Sequence, residues 1–158
     1  MQWYVLYTKP RWEKKVAKEL EEQGIETYCP MITEVRQWSD RKKKVTSPLF
    51  KSYVFVHLTE KDRNKVFDVP GVVQYLFWLK KPAVVRDAEI ETIKTWLEDD
   101  RVEDVEVSHL TPGDRLIISK GSFKGQEAII SEVGNKRLRL LLKSLDLVVN
   151  VRVSEALE

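Results

Sequence analysis

The side chains that could perform catalysis are few in this chain and stand far apart. The two histidines, His57 and His109, have no nucleophile or metal-ligand spacing near them. Asp62 stands beside Arg63 at the start of a helical pattern, and the single cysteine, Cys29, follows a tyrosine as a small core residue would. No glycine-rich phosphate loop precedes a helix. We therefore expect a protein that is not an enzyme and that uses no cofactor and no metal.

A second group of side chains is suited to binding rather than to catalysis. Between Val35 and Val45, one tryptophan stands among arginines and lysines, and a turn near Ser39-Asp40 divides the segment. An aromatic ring can stack on a base or sugar while the cations hold phosphates, although a basic run is as often only a solvated face. We call this segment the basic hairpin; its candidate nucleic-acid-binding residues are Arg36, Trp38, Arg41, Lys42, Lys43 and Lys44.

An aromatic strand is the stretch around which the other elements must be arranged. From Pro48 to Leu58, β-branched and aromatic residues predominate, and only Lys51 and Ser52 interrupt them near the start. This composition predicts a strand packed on both faces, with a bend at the two polar residues. The rings beside the bend belong either to the core alone or also to an exposed apolar pocket for a partner. These rings are Phe50, Tyr53 and Phe55.

Strands and helices alternate on either side of this strand. In the first strand, Trp3, Val5 and Tyr7 share one side, and Thr59 and Asp87 are the expected caps of the second and third helices. We predict strands at residues 3–7, 25–31, 72–78 and 83–85, and helices that begin near residues 11, 59 and 87. This order predicts an α+β fold, in which helices lie on a mainly antiparallel sheet.

The distribution of residue types indicates two domains in the 158 residues. Acidic residues predominate between Glu98 and Glu106, as in a solvated linker, and beyond them Phe123 is the one aromatic residue. We predict an N-terminal domain at 1–99, an acidic linker at 100–108 and a second domain at 109–158. The second domain has five short strand patterns, which predict a small, strongly bent β-barrel.

The overall composition limits the compartment and the partners. Charged residues make up 33% and apolar residues 42%, which is typical of a globular protein, and the net charge is only +2. Contacts with nucleic acid must therefore come from local clusters of charge. A single cysteine, no signal-peptide pattern and no apolar run of membrane-spanning length lead us to expect a cytoplasmic protein that does not contact a membrane.

Two sets of motifs, in this order along the chain, resemble the NusG family of transcription factors. The first set resembles the N-terminal, or NGN, domain of the family, and comprises Trp3-Tyr4-Val5-Leu6-Tyr7, Pro48-Leu49-Phe50 and Tyr53-Val54-Phe55-Val56. The second resembles the KOW motif of an SH3-like barrel, on Gly113, Asp114, Gly121, Phe123 and Gly125. The opening segment and the basic hairpin are most similar to specialised antiterminator paralogues of the RfaH and UpxY type.

The resemblance implies a transcription elongation factor or antiterminator that suppresses pausing or termination, on selected operons. The clamp helices of RNA polymerase would bind an apolar pocket made by Tyr7, Phe50, Tyr53 and Phe55. The opposite jaw of the polymerase would face Glu60, Lys61, Asp62 and Arg63. Non-template DNA would meet the first helix at Lys9, Arg11, Lys14, Lys15 and Lys18, and upstream DNA would meet the basic hairpin. The KOW domain would bind Rho, ribosomal protein S10 or RNA, and the protein would be a monomer.

The chain also departs from the family pattern. The family commonly has Phe-Pro-Gly/Asn-Tyr where this chain has Phe50-Lys51-Ser52-Tyr53, and Ala128 stands near a usual KOW glycine. In the RfaH branch the second domain can fold as a helical hairpin over the pocket, but the β-branched residues between 126 and 156 favour a barrel here. The alternative function is a free-standing RNA- or ribosome-binding KOW protein that does not bind polymerase.

Overall fold

The computed structural model of the chain describes residues 1–110, 122–123, 126–127, 130–132 and 137–154. Of residues 36, 38, 122–123, 126–127 and 130–132 it describes the backbone alone. The N-terminal strands are β1 Gln2–Thr8, β2 Glu26–Tyr28, β3 Met31–Trp38, β4 Arg41–Pro48, β5 Tyr53–Leu58, β6 Val72–Tyr75, β7 Phe77–Trp78, β8 Lys81–Pro82 and β9 Val84–Val85. The later strands are β10 Val102–His109, β11 Ser122–Phe123, β12 Gln126–Glu127, β13 Ile130–Glu132, β14 Arg137–Leu142 and β15 Leu147–Val153. The α-helices are α1 Glu13–Glu22 and α2 Asp87–Glu98, and 3₁₀ helices span Glu60–Asp68 and Lys143–Leu145. Within the described ranges, no helix combines the length and the apolar character needed to cross a membrane.

The N-terminal sheet is built around β1. Its order is β2-β5-β1-β6, β9 also pairs with β1, and every pairing is antiparallel. β1 and β5 pair along their whole length, from Gln2 opposite Leu58 to Tyr7 opposite Tyr53. Helices packed on an antiparallel sheet confirm the predicted α+β class.

One face of this sheet, which we call the helix face, is covered by α1 and the first 3₁₀ helix. Its members are Tyr4, Leu6, Val54, Val56 and Leu58, and all of them are buried. The apolar stripe of α1 packs on them through Val16 and Leu20, which recur at i and i+4 as the sequence predicts. Burying each such side chain contributes about 1.5–3 kcal/mol, so this face is a structural core.

The opposite face, which we call the aromatic face, carries Trp3, Val5, Tyr7, Tyr53 and Phe55. Period-2 alternation of side chains along β1 and β5 places them together, as predicted for the residues of β1. Two different elements cover this face. The buried residues of α2 in this core are Ala88, Ile90, Ile93 and Trp96, and those of the C-terminal strands include Leu140, Leu142, Leu147 and Val149.

The C-terminal strands form a second antiparallel sheet in the order β10-β15-β14-β13. Its edge strand, β10, occupies most of residues 100–108, where we expected a linker, so that expectation was wrong for the local structure. A register shift between Val102 and Asp104 absorbs one residue, and Val102, Val105 and Val107 all pack against the core. The acidic residues between them hid this alternation. The limits of the domains themselves stay a prediction.

Three local predictions also need correction. The second helix is a 3₁₀ helix. Thr59 is its N-cap residue, as predicted, but the Thr59 hydroxyl donates to the Asp62 carboxylate (3.1 Å) and does not accept from the backbone. At the third helix, Asp87 is the first helical residue and not the cap. The carboxylate of Glu89 instead accepts the backbone N–H of Arg86 at 2.9 Å, because an acidic side chain three residues into a helix can reach back to its start.

Candidate functional site

Four aromatic rings lie together at one end of the aromatic face. Tyr7 and Tyr53 are cross-strand partners whose ring centroids are 6.0 Å apart. Phe50, just before β5, meets Phe55 edge-on with a centroid distance of 5.2 Å. Cross-strand and edge-to-face aromatic pairs of this kind stabilise each other beyond the area that they bury. The structure thus brings together the four residues of the predicted apolar pocket.

These four rings differ in how far a partner can reach them. Tyr7 is 38% exposed and Tyr53 is partly buried, whereas Phe50 and Phe55 are only 2% and 0% exposed. Beside Phe50 and Tyr53 lies a cleft of about 430 Å³, whose far side is formed by β10 and Leu147. A partner could therefore contact Tyr7 and Tyr53 directly, whereas Phe50 and Phe55 lie in the core that α2 and the C-terminal strands cover.

The bend between Phe50 and Tyr53 is a tight four-residue turn. The backbone N–H of Tyr53 donates to the carbonyl of Phe50 (3.4 Å), and Ser52 has a φ of +69°, in the left-handed region. The carbonyl of Ser52 accepts the N–H of Thr8 at 2.8 Å, and the N–H of Ser52 donates to Glu13 Oε2 at 3.0 Å. Sequence reasoning missed Glu13, because it reads as one more polar residue on the solvated side of α1.

The second predicted set begins the first 3₁₀ helix. Glu60 and Lys61 are exposed, and Arg63 lies 3.4 Å from the Glu60 carboxylate and 5.5 Å from the ring of Tyr4. Hydrogen bonds from Lys65 and then Thr59 hold the pKa of Asp62 below its usual value. Since this helix packs on the helix face, the set and the aromatic rings belong to opposite faces of the sheet.

Two lysines of the first helical segment lie near the ring of Trp12, which packs against Gly71. Trp12 packs so closely on Gly71 that a Cβ added to the glycine would lie 2.6 Å from the indole ring. The Nζ atoms of Lys15 and Lys9 lie 4.7 and 5.8 Å from this ring, within the range of a cation–π contact. The predicted residues of this surface, all of them exposed, are Lys9, Arg11, Lys14, Lys15 and Lys18.

The basic hairpin forms as predicted and is longer than the sequence indicated. β3 and β4 pair from Met31 opposite Pro48 to Trp38 opposite Arg41, with the turn at residues 39–40. Because side chains alternate along a strand, Lys42 and Lys44 share one face of the ribbon, and Arg41 and Lys43 share the other. All four are exposed, so positive charge is available on both faces. The backbone register pairs Arg36 with Lys43.

The predicted KOW motif falls almost entirely outside the described residues. This applies to Gly113, Asp114, Gly121 and Gly125. Phe123 lies in β11, where its backbone pairs with Gln126. The role of this motif therefore stays a prediction.

Two of the side chains first considered for catalysis, His57 and Cys29, are engaged in packing. His57 stacks on Trp3 with a centroid distance of 4.7 Å, and its Nδ1 lies 2.6 Å from Glu26. Burial, and then the charge of Glu13, raise the pKa of Cys29 to about 11, so its thiol stays protonated at neutral pH. Among the residues that the structure describes, no three His, Cys, Asp or Glu side chains are grouped to hold a metal ion.

Comparisons with known proteins place this geometry in context. A family model described as "Transcription termination factor nusG" matches residues 1–94. The "Transcription termination/antitermination protein NusG" of Rickettsia felis is 24% identical over 150 residues, covering 88% of this chain and 78% of that protein. The protein of the same name from Staphylococcus carnosus is 28% identical over 153 residues, covering 87% and 82%. A solved structure, "Domain interaction in Thermotoga maritima NusG", aligns over 99% of this chain and 97% of that one, with 22% identity and a TM-score of 0.43.

Proposed function

Because the family match spans 94 of its 158 residues, the chain belongs to the NusG family of transcription termination and antitermination factors, and we propose that it acts as an antiterminator. In this proposal it binds the clamp helices of RNA polymerase through Tyr7, Phe50, Tyr53 and Phe55 and suppresses pausing or termination. The opposite jaw of the polymerase faces Glu60, Lys61, Asp62 and Arg63. Contact with both jaws favours the active, closed clamp over the paused state, which is a shift of population by binding.

The observation that carries the proposal is the group of four rings at one end of the aromatic face. Tyr7 and Tyr53 are its accessible members, and Phe50 and Phe55 are its buried members. Tyrosine and phenylalanine anchors in a pocket supply much of the binding energy of protein interfaces. The two candidate polymerase-contacting sets occupy opposite faces of the sheet, which suits a protein that spans two jaws.

Single-round transcription by purified RNA polymerase on a paused template tests this function. We expect faster escape from the pause with the protein, and loss of this effect in Tyr53→Ala and Tyr7→Ala. The matched control is Trp78→Ala, because Trp78 is an exposed ring (45%) that belongs to neither of the proposed polymerase-contacting sets. Unchanged pausing, together with no binding of polymerase, would contradict the proposal.

We also propose that the protein serves selected operons, with the first helix contacting the non-template strand and the basic hairpin contacting upstream DNA. Exposed lysines on both faces of the hairpin, and those around Trp12, support these contacts. Mapping where the protein occupies transcribed genes is the test. Occupancy restricted to a few operons is expected, and occupancy of nearly all transcribed genes would indicate a general factor.

The alternative is an RNA- or ribosome-binding protein that does not contact polymerase, and the cationic ribbon of β3 and β4 favours it. The KOW domain would then act with the hairpin, whereas in the antiterminator it would bind Rho, ribosomal protein S10 or RNA. Replacing Lys42 and Lys44 with alanine should weaken binding to nucleic acid. It should also reduce the slope of log K against log salt concentration by about one unit for each lost phosphate contact. RNA binding that survives Tyr7→Ala, without any binding of polymerase, would support this alternative.

A further inference from the structure

A carboxylate buried at the start of α1 has a role that the proposed contacts do not explain. Glu13 is the first residue of α1 and is 4% exposed, although most of the polar side chains of this helix are exposed. Burial of an ionisable group is unfavourable unless hydrogen bonds compensate for the lost water. The bond that the structure gives it spans 39 residues of sequence and ends on the backbone N–H of Ser52.

Ser52 has a backbone conformation that needs such support. It is the third residue of the turn at 50–53, and its φ of +69° lies in the region that glycine adopts freely and that other residues adopt at a steric penalty. Hydrogen bonds hold the peptide groups on both sides of its Cα. The N–H donates to Glu13, and the carbonyl accepts from Thr8 at the end of β1.

The same turn sets the direction of two rings of the aromatic site. Phe50 is its first residue and Tyr53 its last, and Tyr53 is also the first residue of β5. If Ser52 relaxed to a negative φ, the plane of its peptide groups would rotate and the two rings would leave their present positions. The partly buried N–H of Ser52 would then also lose the acceptor that Glu13 provides.

We propose that Glu13 is a positioning residue for the polymerase-binding surface, because its carboxylate holds Ser52 in the left-handed conformation that presents Phe50 and Tyr53. This inference rests on the proposed function for its biological consequence, but its structural part stands independently. The side chain of Glu13 touches the turn and not the partner. Its long-range hydrogen bond stabilises a positive φ at position 52, a conformation that glycine adopts without such support.

Hydrogen exchange of the Ser52 amide tests the structural part without any polymerase. We expect Glu13→Ala to lower the protection of this amide by at least tenfold, while the amides that pair β1 with β5 keep theirs. Glu13→Gln retains an acceptor oxygen and should show a smaller loss. Glu22→Ala is the matched control, since Glu22 is exposed on the same helix. Unchanged protection of Ser52 in Glu13→Ala would overturn the proposal.

Rescue by glycine tests the functional part. We expect Glu13→Ala to weaken the binding of purified RNA polymerase by about tenfold, and the double variant Glu13→Ala/Ser52→Gly to recover most of that loss, because glycine adopts a positive φ without support. A loss that glycine does not rescue would overturn the positioning role. Failure of even the unmodified protein to bind polymerase would instead refute the proposed function, and the exchange of Ser52 would still decide the role of Glu13.

Discussion

The two faces of the N-terminal sheet are built from the same two strands and are covered in different ways. On the helix face, aliphatic side chains such as Leu6 and Val56 pack against α1, which follows β1 directly in the chain. On the aromatic face, α2 covers one part, and strands more than 40 residues further along the chain than β5 cover another. The helix face is therefore a structural core, whereas the aromatic face combines a core with a surface that a partner could use.

Substitutions at two neighbouring residues of β1 should show the difference between the two faces most clearly. Leu6 is completely buried on the helix face, whereas Tyr7 points to the other side and is partly exposed. We expect Leu6→Ala to lower the free energy of unfolding by about 2–5 kcal/mol, and Tyr7→Ala to lower it by about 1 kcal/mol while abolishing polymerase binding. Urea denaturation checks both values. Equal losses of stability would refute the division between a core face and a binding face.

The packing of α1 on the sheet region gives the next largest effect. An alanine at Gly71 would place its Cβ 2.6 Å from Trp12 and 2.9 Å from Val16, at a φ of +98°. We expect Gly71→Ala to destabilise the protein by about 2–4 kcal/mol, since overpacking and backbone strain add. Gly24→Ala is the control, because Gly24 also has a positive φ (+84°) but open space around it. Its expected loss is about 1 kcal/mol, and thermal denaturation would show whether the two variants differ.

The packing of the C-terminal sheet on the aromatic face can be weakened by a substitution in β10. Val107 of β10 lines the cleft beside Phe50 and Tyr53, so an aspartate there would place a charge against the rings. We expect Val107→Asp to raise the affinity for polymerase by roughly three- to tenfold, because a larger fraction of the molecules would have the site uncovered. A titration of polymerase measures this change, with Glu103→Ala, exposed on the same strand outside the cleft, as the control. Unchanged affinity would mean that the C-terminal sheet does not compete with the partner.

The smallest expected effect concerns α2, the helix that covers part of the aromatic face. Burial raises the pKa of Glu89 above its ordinary value, although hydrogen bonds to Arg86 oppose the shift. The folded protein therefore holds this proton more tightly than the unfolded chain, so the stabilisation is complete at low pH and is lost as the pH rises through the folded pKa. Relative to Glu89→Gln, the unmodified protein should lose stability as the pH rises above the ordinary pKa of a glutamate, about 4.3. Glu91→Gln, on an exposed site of the same helix, is the control.

Much of the sheet could be predicted because its signals are local. The alternation of Trp3, Val5 and Tyr7 identifies one face of β1, and the spacing of Val16 and Leu20 identifies the buried side of α1. The turn of the basic hairpin is likewise visible in Ser39-Asp40. In each case a period or a turn residue in a short window determines the conformation.

The remaining features depend on contacts that a short window does not contain. The acidic residues of β10 concealed a strand whose partner, β15, lies about 40 residues away, and a register shift broke its alternation. The left-handed turn at Ser52 depends on Glu13, far away in sequence. Phe50 and Phe55 are buried in a core that α2 and the C-terminal strands share. Sequence therefore predicted which rings lie together and missed what holds and covers them.

The central position of β1 has a consequence for synthesis on the ribosome. This strand leaves the ribosome before its partners β5, β6 and β9, the last of which ends at Val85. At translation rates of about 5–20 residues per second, the wait for β5 alone lasts on the order of seconds, whereas α1 can form in microseconds or less. Residues 3–7, with one tryptophan and two tyrosines, thus stay unpaired during that interval. The nascent chain should offer them to ribosome-associated chaperones before it can fold its own sheet.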